Sequence, residues 1–152
     1  MNENAAAPVF RHQHRVTYAE CTVGNHIYHS RYLDLLEAAR GEFLRTLGFP
    51  LLRLQESGVI FPVVEAQLRY LRPARYDDDL TIEIQLTLLR GARLGVRHRV
   101  LGADGRVLVE ADTLHVATGL NDKPRRLPAD LVAALRPWLQ PVGPLVASTS
   151  EE

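Results

Sequence analysis

Apolar residues return along this chain with two different periods. Between Ser30 and Pro50, Tyr32, Leu36, Ala39, Phe43 and Leu47 recur at intervals of three and four, the spacing of one helical face. Leu33 and Leu44 widen the stripe. Ser30 stands in front of it as an N-cap whose hydroxyl would accept a bond from an early backbone N–H, and Gly48 with Pro50 closes it. A helix over Arg31–Leu47 is predicted. Its charged residues Asp34, Glu37, Arg40, Glu42 and Arg45 alternate in sign and mostly face water.

Elsewhere the period is two. The stretch RHQHRVTYAE alternates as a first strand with Val16 and Tyr18 on one face, and its His12 and His14 read as an exposed strand edge. Val64, Ala66, Leu68 and Tyr70 alternate with Glu65, Gln67 and Arg69. Ile82, Ile84, Leu86 and Leu88 do the same against Thr81, Glu83, Gln85 and Thr87. The strands break at Arg72-Pro73, at Arg90-Gly91 and at Ala103-Asp104-Gly105, whose Asp-Gly pair is a hairpin signal. Leu114 and Val116 share a face of the last strand with His115 opposite. LPADLVAALRPWL predicts a short closing helix from near Pro128, with Leu131, Leu135 and Trp138 along one side.

The order is therefore strand, long helix, about four antiparallel strands and a short helix, an α+β arrangement in which one long helix crosses a mostly antiparallel sheet. A sheet covered on one face leaves an edge or apolar area open, so a homodimer or homotetramer is expected. MNENAAAP and QPVGPLVASTSEE are poor in large apolar residues and are expected to form loose tails, 1–8 and 140–152, around a single domain spanning 9–139.

At 152 residues this is one ordinary domain, long enough to bury a core without disulfides or metals. Its 18 basic residues balance its 18 acidic ones, which excludes the broad basic field of a nucleic-acid or membrane-surface binder. Cys21 is the only cysteine, so there is no internal disulfide and no cysteine-based zinc site. With no secretory leader and no apolar run of membrane-spanning length, a cytoplasmic protein is expected.

The chemistry concentrates in ECTVGNHIYHSRYLDLLEAAR, Glu20 to Arg40, where two histidines and an asparagine precede the long helix. Together with YLRPARYDDDLTI and HVATGLNDKPRRLP, in this order and spacing, it resembles the hotdog-fold acyl-CoA thioesterases. The branch is that of the hydroxybenzoyl-CoA thioesterases and their short-chain relatives, and the resemblance covers Val16 to Leu131. It implies one long helix packed on a curved antiparallel sheet with a short C-terminal helix. Matched position by position, the family's aspartate falls on Thr22 and its glycine-rich turn on Val23 to Asn25. The residue whose backbone N–H polarises the thioester carbonyl falls on His29, after Tyr28 at the helix entrance, and His26 matches a histidine of some branches. The family's acid is thus missing.

Thioester hydrolysis needs a group that activates water and donors aimed at the oxyanion. The N–H groups at the front of the helix, from His29 onward, meet the second need. For the first, Thr22 can orient a water but not act as a base near neutral pH, which leaves Glu37 and His26 as candidates. Each has a plainer reading, Glu37 as a solvated partner of Arg40 and His26 as a satisfied loop histidine. Asn25 either holds a water or supplies a left-handed turn residue. Coenzyme A carries phosphates, and Arg90, Arg93, Arg97 and Arg99 around the Gly91 turn, or Lys123, Arg125 and Arg126, are candidate contacts, with Tyr28 also facing substrate. No metal or cofactor is expected, since no carboxylate supports the His26 and His29 pair at ligand spacing. Three outcomes stay open: a hydrolase, a non-catalytic binder of acyl-CoA or an acyl carrier, and a dehydratase-like enzyme with His26 as base.

Overall fold

The computed structural model describes residues 6–140, so the expected tails at 1–8 and 140–152 fall mainly outside the described residues. The elements are β1 (Phe10–Arg15), β2 (Cys21–Thr22), β3 (His26–Ile27), α1 (Arg31–Thr46), α2 (Leu51–Glu56), β4 (Val63–Tyr70), β5 (Asp79–Arg90), β6 (Arg93–Leu101), β7 (Val107–Val116) and α3 (Ala129–Leu135). Five strands form one antiparallel sheet in the order β1-β5-β6-β7-β4, and β2 pairs with β3 in a separate hairpin. α1 packs on one face of the sheet, the arrangement implied by the hotdog resemblance. Among the described residues no helix is long and apolar enough to cross a membrane.

The periodicity explains the core. Tyr32, Leu36, Ala39 and Phe43 are buried along α1, joined by Leu35 and Leu44, and they meet Leu80, Ile82, Ile84 and Leu86 of β5. Leu33 stays 45% exposed, outside the stripe. The closing helix behaves as its pattern predicts: Leu131 and Leu135 are fully buried, and Trp138 meets Phe43 edge-on at 5.1 Å.

α1 stops as its sequence implies but starts differently. Gly48 takes φ +91°, its N–H bonding Arg45 O at 3.0 Å while Phe49 N–H reaches Leu44 O at 2.8 Å, a Schellman ending. Ser30 is not a side-chain cap. Its backbone is already helical, φ −71° and ψ −21°, whereas a capping hydroxyl needs an extended residue to reach the N–H groups ahead of it.

Three further expectations are corrected. The chain leaves the sheet after Arg15, and Tyr18–Glu20 forms a turn of 3₁₀-helix, so Val16 is buried while Tyr18 is 81% exposed. His12 and His14 are half-buried on the helix side of β1, opposite Ile82 and Leu80, and His14 pairs with Glu20 at 2.8 Å. A β-bulge between Leu86 and Leu88 turns Leu88 to the outer face, where it opposes Gly95, and Leu89 takes the inner position opposite Leu94. Gly95 is required there, because a Cβ would lie 2.6 Å from Thr87 Oγ1 and 2.9 Å from Leu88 Cβ.

Strand β4 keeps its predicted alternation from Glu65 to Tyr70 but not its burial, and a register shift between Val63 and Glu65 puts Val63 rather than Val64 opposite the buried His115. Ala66, Leu68 and Tyr70 oppose Thr113, Ala111 and Val109, the inner-facing residues of β7, yet Ala66 and Tyr70 remain exposed. An apolar strip therefore stands open at this edge of the sheet. On the outer face, Arg97 holds Asp112 through two bonds of 2.8 Å, and Glu83 accepts from Arg11 and Arg99 at 3.1 and 3.3 Å. Arg97 and Arg99 thus belong to a cross-strand ion-pair ladder.

Candidate active site

The β2–β3 hairpin and the front of α1 enclose a cavity of about 390 Å³ lined by Thr22, His26, Tyr28, His29, Tyr32, Tyr70 and Arg72. A tight loop builds it. Gly24 and Asn25 both take positive φ, +94° and +57°, and Asn25 N–H closes the turn on Thr22 O at 3.1 Å. Ile27 N–H then anchors the hairpin to Ala74 O at 2.9 Å, beside the start of β5. Cross-strand pairing sets Thr22 opposite His26, so their side chains share one face of the hairpin.

His26 Nδ1 lies 3.3 Å from Ile27 O, so a proton on Nδ1 donates there and leaves Nε2 with a lone pair. Gly24 adjoins this edge of the ring, for a Cβ on it would sit 3.5 Å from Nε2. Neighbouring Cys21 is a poor nucleophile: desolvation, then the charges of Glu20 and Asp78, raise its thiol above the ordinary value.

At the helix entrance the N–H groups of His29 and Ser30 have no hydrogen-bond acceptor among the described residues. Tyr70 Oη donates to His29 O at 3.1 Å and holds that peptide. Burial raises the hydroxyls of Tyr70 and Tyr32 above the usual phenol value, keeping both as proton donors. The His29 ring leans on Tyr28, with centroids 4.3 Å apart.

Two sequence candidates stand elsewhere. Asn25 Oδ1 accepts from Tyr76 N–H at 3.3 Å, and its residue is not in the cavity wall. Glu37 is exposed, eight residues along α1 from His29 or roughly 12 Å at 1.5 Å per residue, and lines a different cavity. No ion pair joins it to Arg40 among the described residues. Arg90 and Arg93 face each other at the β5–β6 turn, about eleven residues from the cavity end of β5, roughly 36 Å at about 3.3 Å per residue. Arg125 is engaged with Gly58 O at 3.0 Å.

Sequence reasoning missed Arg72, Tyr70 and Tyr32. Arg72 lines both this cavity and an adjoining hollow that it shares with Leu71, Arg106 and Val107. The Arg72-Pro73 pair was legible as a strand break, and only the fold turns it toward the site. Among the described residues no cluster of three or more His, Cys, Asp or Glu is placed to hold a metal ion.

The comparisons agree with this architecture. The model of the thioesterase-like superfamily matches residues 16–135. The acyl-CoA thioester hydrolase YbgC of Escherichia coli O6:H1 is 36% identical over 129 residues, covering 84% of this chain and 96% of the relative. The 1,4-dihydroxy-2-naphthoyl-CoA hydrolase of Thermosynechococcus vestitus is 27% identical over 134 residues, 88% of this chain and 90% of its own. The crystal structure of a probable thioesterase from Bartonella henselae superposes with a TM-score of 0.76 at 34% identity, over 80% of this chain and 100% of that one. The chain belongs to the thioesterase-like superfamily, hotdog-fold proteins whose members include hydrolases of acyl-CoA thioesters.

Proposed function

We propose that the chain hydrolyses an acyl-CoA thioester in the cavity before α1, with the thioester oxygen on the N–H groups of His29 and Ser30. The observation that carries this reading is the pair of N–H groups left without acceptors beside a cavity that holds an imidazole. His26 Nε2 takes a proton from water, and the oxygen attacks the thioester carbon. Negative charge passes to the carbonyl oxygen, where the two N–H groups stabilise it. Collapse of the intermediate breaks the C–S bond and expels the CoA thiolate, which recovers the proton from His26. Thr22, on the same face as His26, orients the water through its hydroxyl. In this reading Asn25 shapes the loop.

Arg72 and Arg106 are suited to the phosphates of coenzyme A, because the hollow they share opens from the thioester cavity. Arg90 and Arg93 are too distant within one chain and serve only across a subunit boundary. A homodimer or homotetramer joined through the open strip of β4 would cover Val63, Ala66 and Tyr70.

One observation favours a second reading, a binder of acyl-CoA or an acyl carrier: Thr22 puts a hydroxyl where the family's acid would stand. A panel of short-chain and aryl acyl-CoAs with thiol detection separates the two. Release of CoA is expected. Saturable binding without release on every substrate would replace the hydrolase by the binder.

A further inference from the structure

A second cavity, of about 250 Å³, lies beneath the later half of α1, between the helix and the inner face of the sheet. It shares no lining residue with the cavity at the helix entrance. Its walls are mainly apolar, formed by residues such as Phe43, Leu44, Leu86, Val96 and Leu135. Arg40 and His115 interrupt them, and Glu37 stands exposed at the rim.

The polar groups form two hydrogen-bonded sets, one on Arg40 and His98 and one on His115. Arg40 Nη1–H donates to His98 Nε2 at 3.2 Å, and His98, fully buried, donates its own Nδ1–H to Ala111 O at 3.3 Å. His115 donates Nδ1–H to Phe61 O at 3.2 Å and accepts the Thr113 hydroxyl on Nε2 at 2.9 Å. Both imidazoles are therefore neutral and have their ring nitrogens satisfied. Burial first, and the Arg40 charge second, hold His98 down to about 3 and His115 to about 4.

Arg40 has no such balance. It is half-buried, only one of its N–H groups has an acceptor among the described residues, and no carboxylate lies within 4 Å of it there. Burial holds the guanidinium below its ordinary value and the charge of exposed Glu37 offsets only part of that, so with no carboxylate in direct contact its fork geometry stays open to receive one. An apolar pocket with one such anchor suits an apolar body carrying an anionic end. An apolar cavity of about 150 Å³ takes benzene, so this one has room for a larger aryl group or a medium alkyl chain.

We infer that this cavity binds an aliphatic or aryl carboxylate, its hydrocarbon among Phe43, Leu86 and Val96 and its carboxylate on the Arg40 guanidinium. Two sources offer this chemistry. One is the far end of an acyl group that already bears a second carboxylate, which rests on the thioesterase reading above. The other is a free carboxylic acid, which does not.

The test titrates the full chain by calorimetry with octanoate and, in parallel, with octanol. Octanoate is expected to bind at least about tenfold more tightly, the scale of a charge-assisted bond. Arg40→Gln should erase the difference. Leu51→Trp, at a rim position that is 42% exposed and so tolerant of a larger side chain, should weaken octanoate without touching the guanidinium. Equal binding of octanoate and octanol, or octanoate binding unchanged in Arg40→Gln, overturns the inference. A second arm compares turnover of octanoyl-CoA with its ω-carboxy counterpart. A loss of kcat/KM in Arg40→Gln confined to the ω-carboxy substrate assigns the cavity to the acyl group, and an unchanged ratio with octanoate still bound assigns it to a free acid. Failure of both CoA esters to turn over would count against the thioesterase reading alone, since the binding arm decides for itself.

Discussion

The Tyr70 hydroxyl on β4 donates to the carbonyl oxygen of His29 across 3.1 Å, tying the edge strand of the sheet to the peptide that leads into α1. That bond fixes the plane in which the neighbouring N–H groups lie. Tyr70→Phe removes it while keeping the ring against Tyr32, whose centroid is 5.6 Å away. We expect kcat for acyl-CoA to fall about tenfold with KM and melting temperature little changed, the pattern of an interaction that acts mainly in the transition state. Steady-state kinetics beside a thermal melt checks this.

Arg72 gives a prediction that separates binding from chemistry. Arg72→Ala should raise KM for acyl-CoA by about tenfold and leave kcat nearly unchanged, as loss of a phosphate contact would. An acyl thioester of N-acetylcysteamine, which has no phosphate, should not register the substitution. An equal loss on both thioesters would place Arg72 at the reacting carbon instead.

Stability should depend on pH through the two buried histidines. In the unfolded chain their imidazoles titrate near 6.5, while in the fold they are held at about 3 for His98 and about 4 for His115. Between those values the unfolded state binds more protons, so stability rises with pH, is complete above about 6.5 and is lost as pH falls toward the folded values. The two together give a slope of up to about 2.7 kcal/mol per pH unit. Denaturant titrations from pH 7 to pH 4 measure it, and the double variant His98→Gln, His115→Gln should flatten most of it.

Gly95 tests the bulge in β5. A methyl group there meets Thr87 Oγ1 at 2.6 Å and Leu88 Cβ at 2.9 Å, so Gly95→Ala should cost about 1–3 kcal/mol. Adding Thr87→Ala should recover part of that loss. Leu88 remains in the way.

Most of the fold was legible because its elements are periodic. The stripe from Tyr32 to Phe43 needed no tertiary knowledge, nor did the alternation of β5 as far as Leu86. Leu88 escaped because a bulge shifts the period by one residue without any local sequence mark beyond Gly95 on the neighbouring strand. Ser30 misled because capping depends on its backbone angles rather than on its hydroxyl. In the site, Thr22, His26 and His29 lie close in sequence and were readable together. Tyr70 reaches it from the end of β4 and Arg72 from just past that strand, some forty residues later, and no spacing rule joins them to His29. His98 was hidden in a strand that otherwise reads as apolar inside, and His115, set opposite Leu114 and Val116 by its pattern, is the buried one while that pair is only half-buried. The partners Arg40, Ala111 and Phe61 reveal why an imidazole is tolerated inside.

Everything assigned to the α1 entrance turns on whether His26 moves a proton. The most direct test is the single-turnover rate of CoA release by His26→Ala, run beside the wild-type chain at equal acyl-CoA saturation. A fall of about 10² or more, with substrate affinity and melting temperature preserved, is expected for the base. An unchanged rate in a folded, substrate-saturated variant would contradict it.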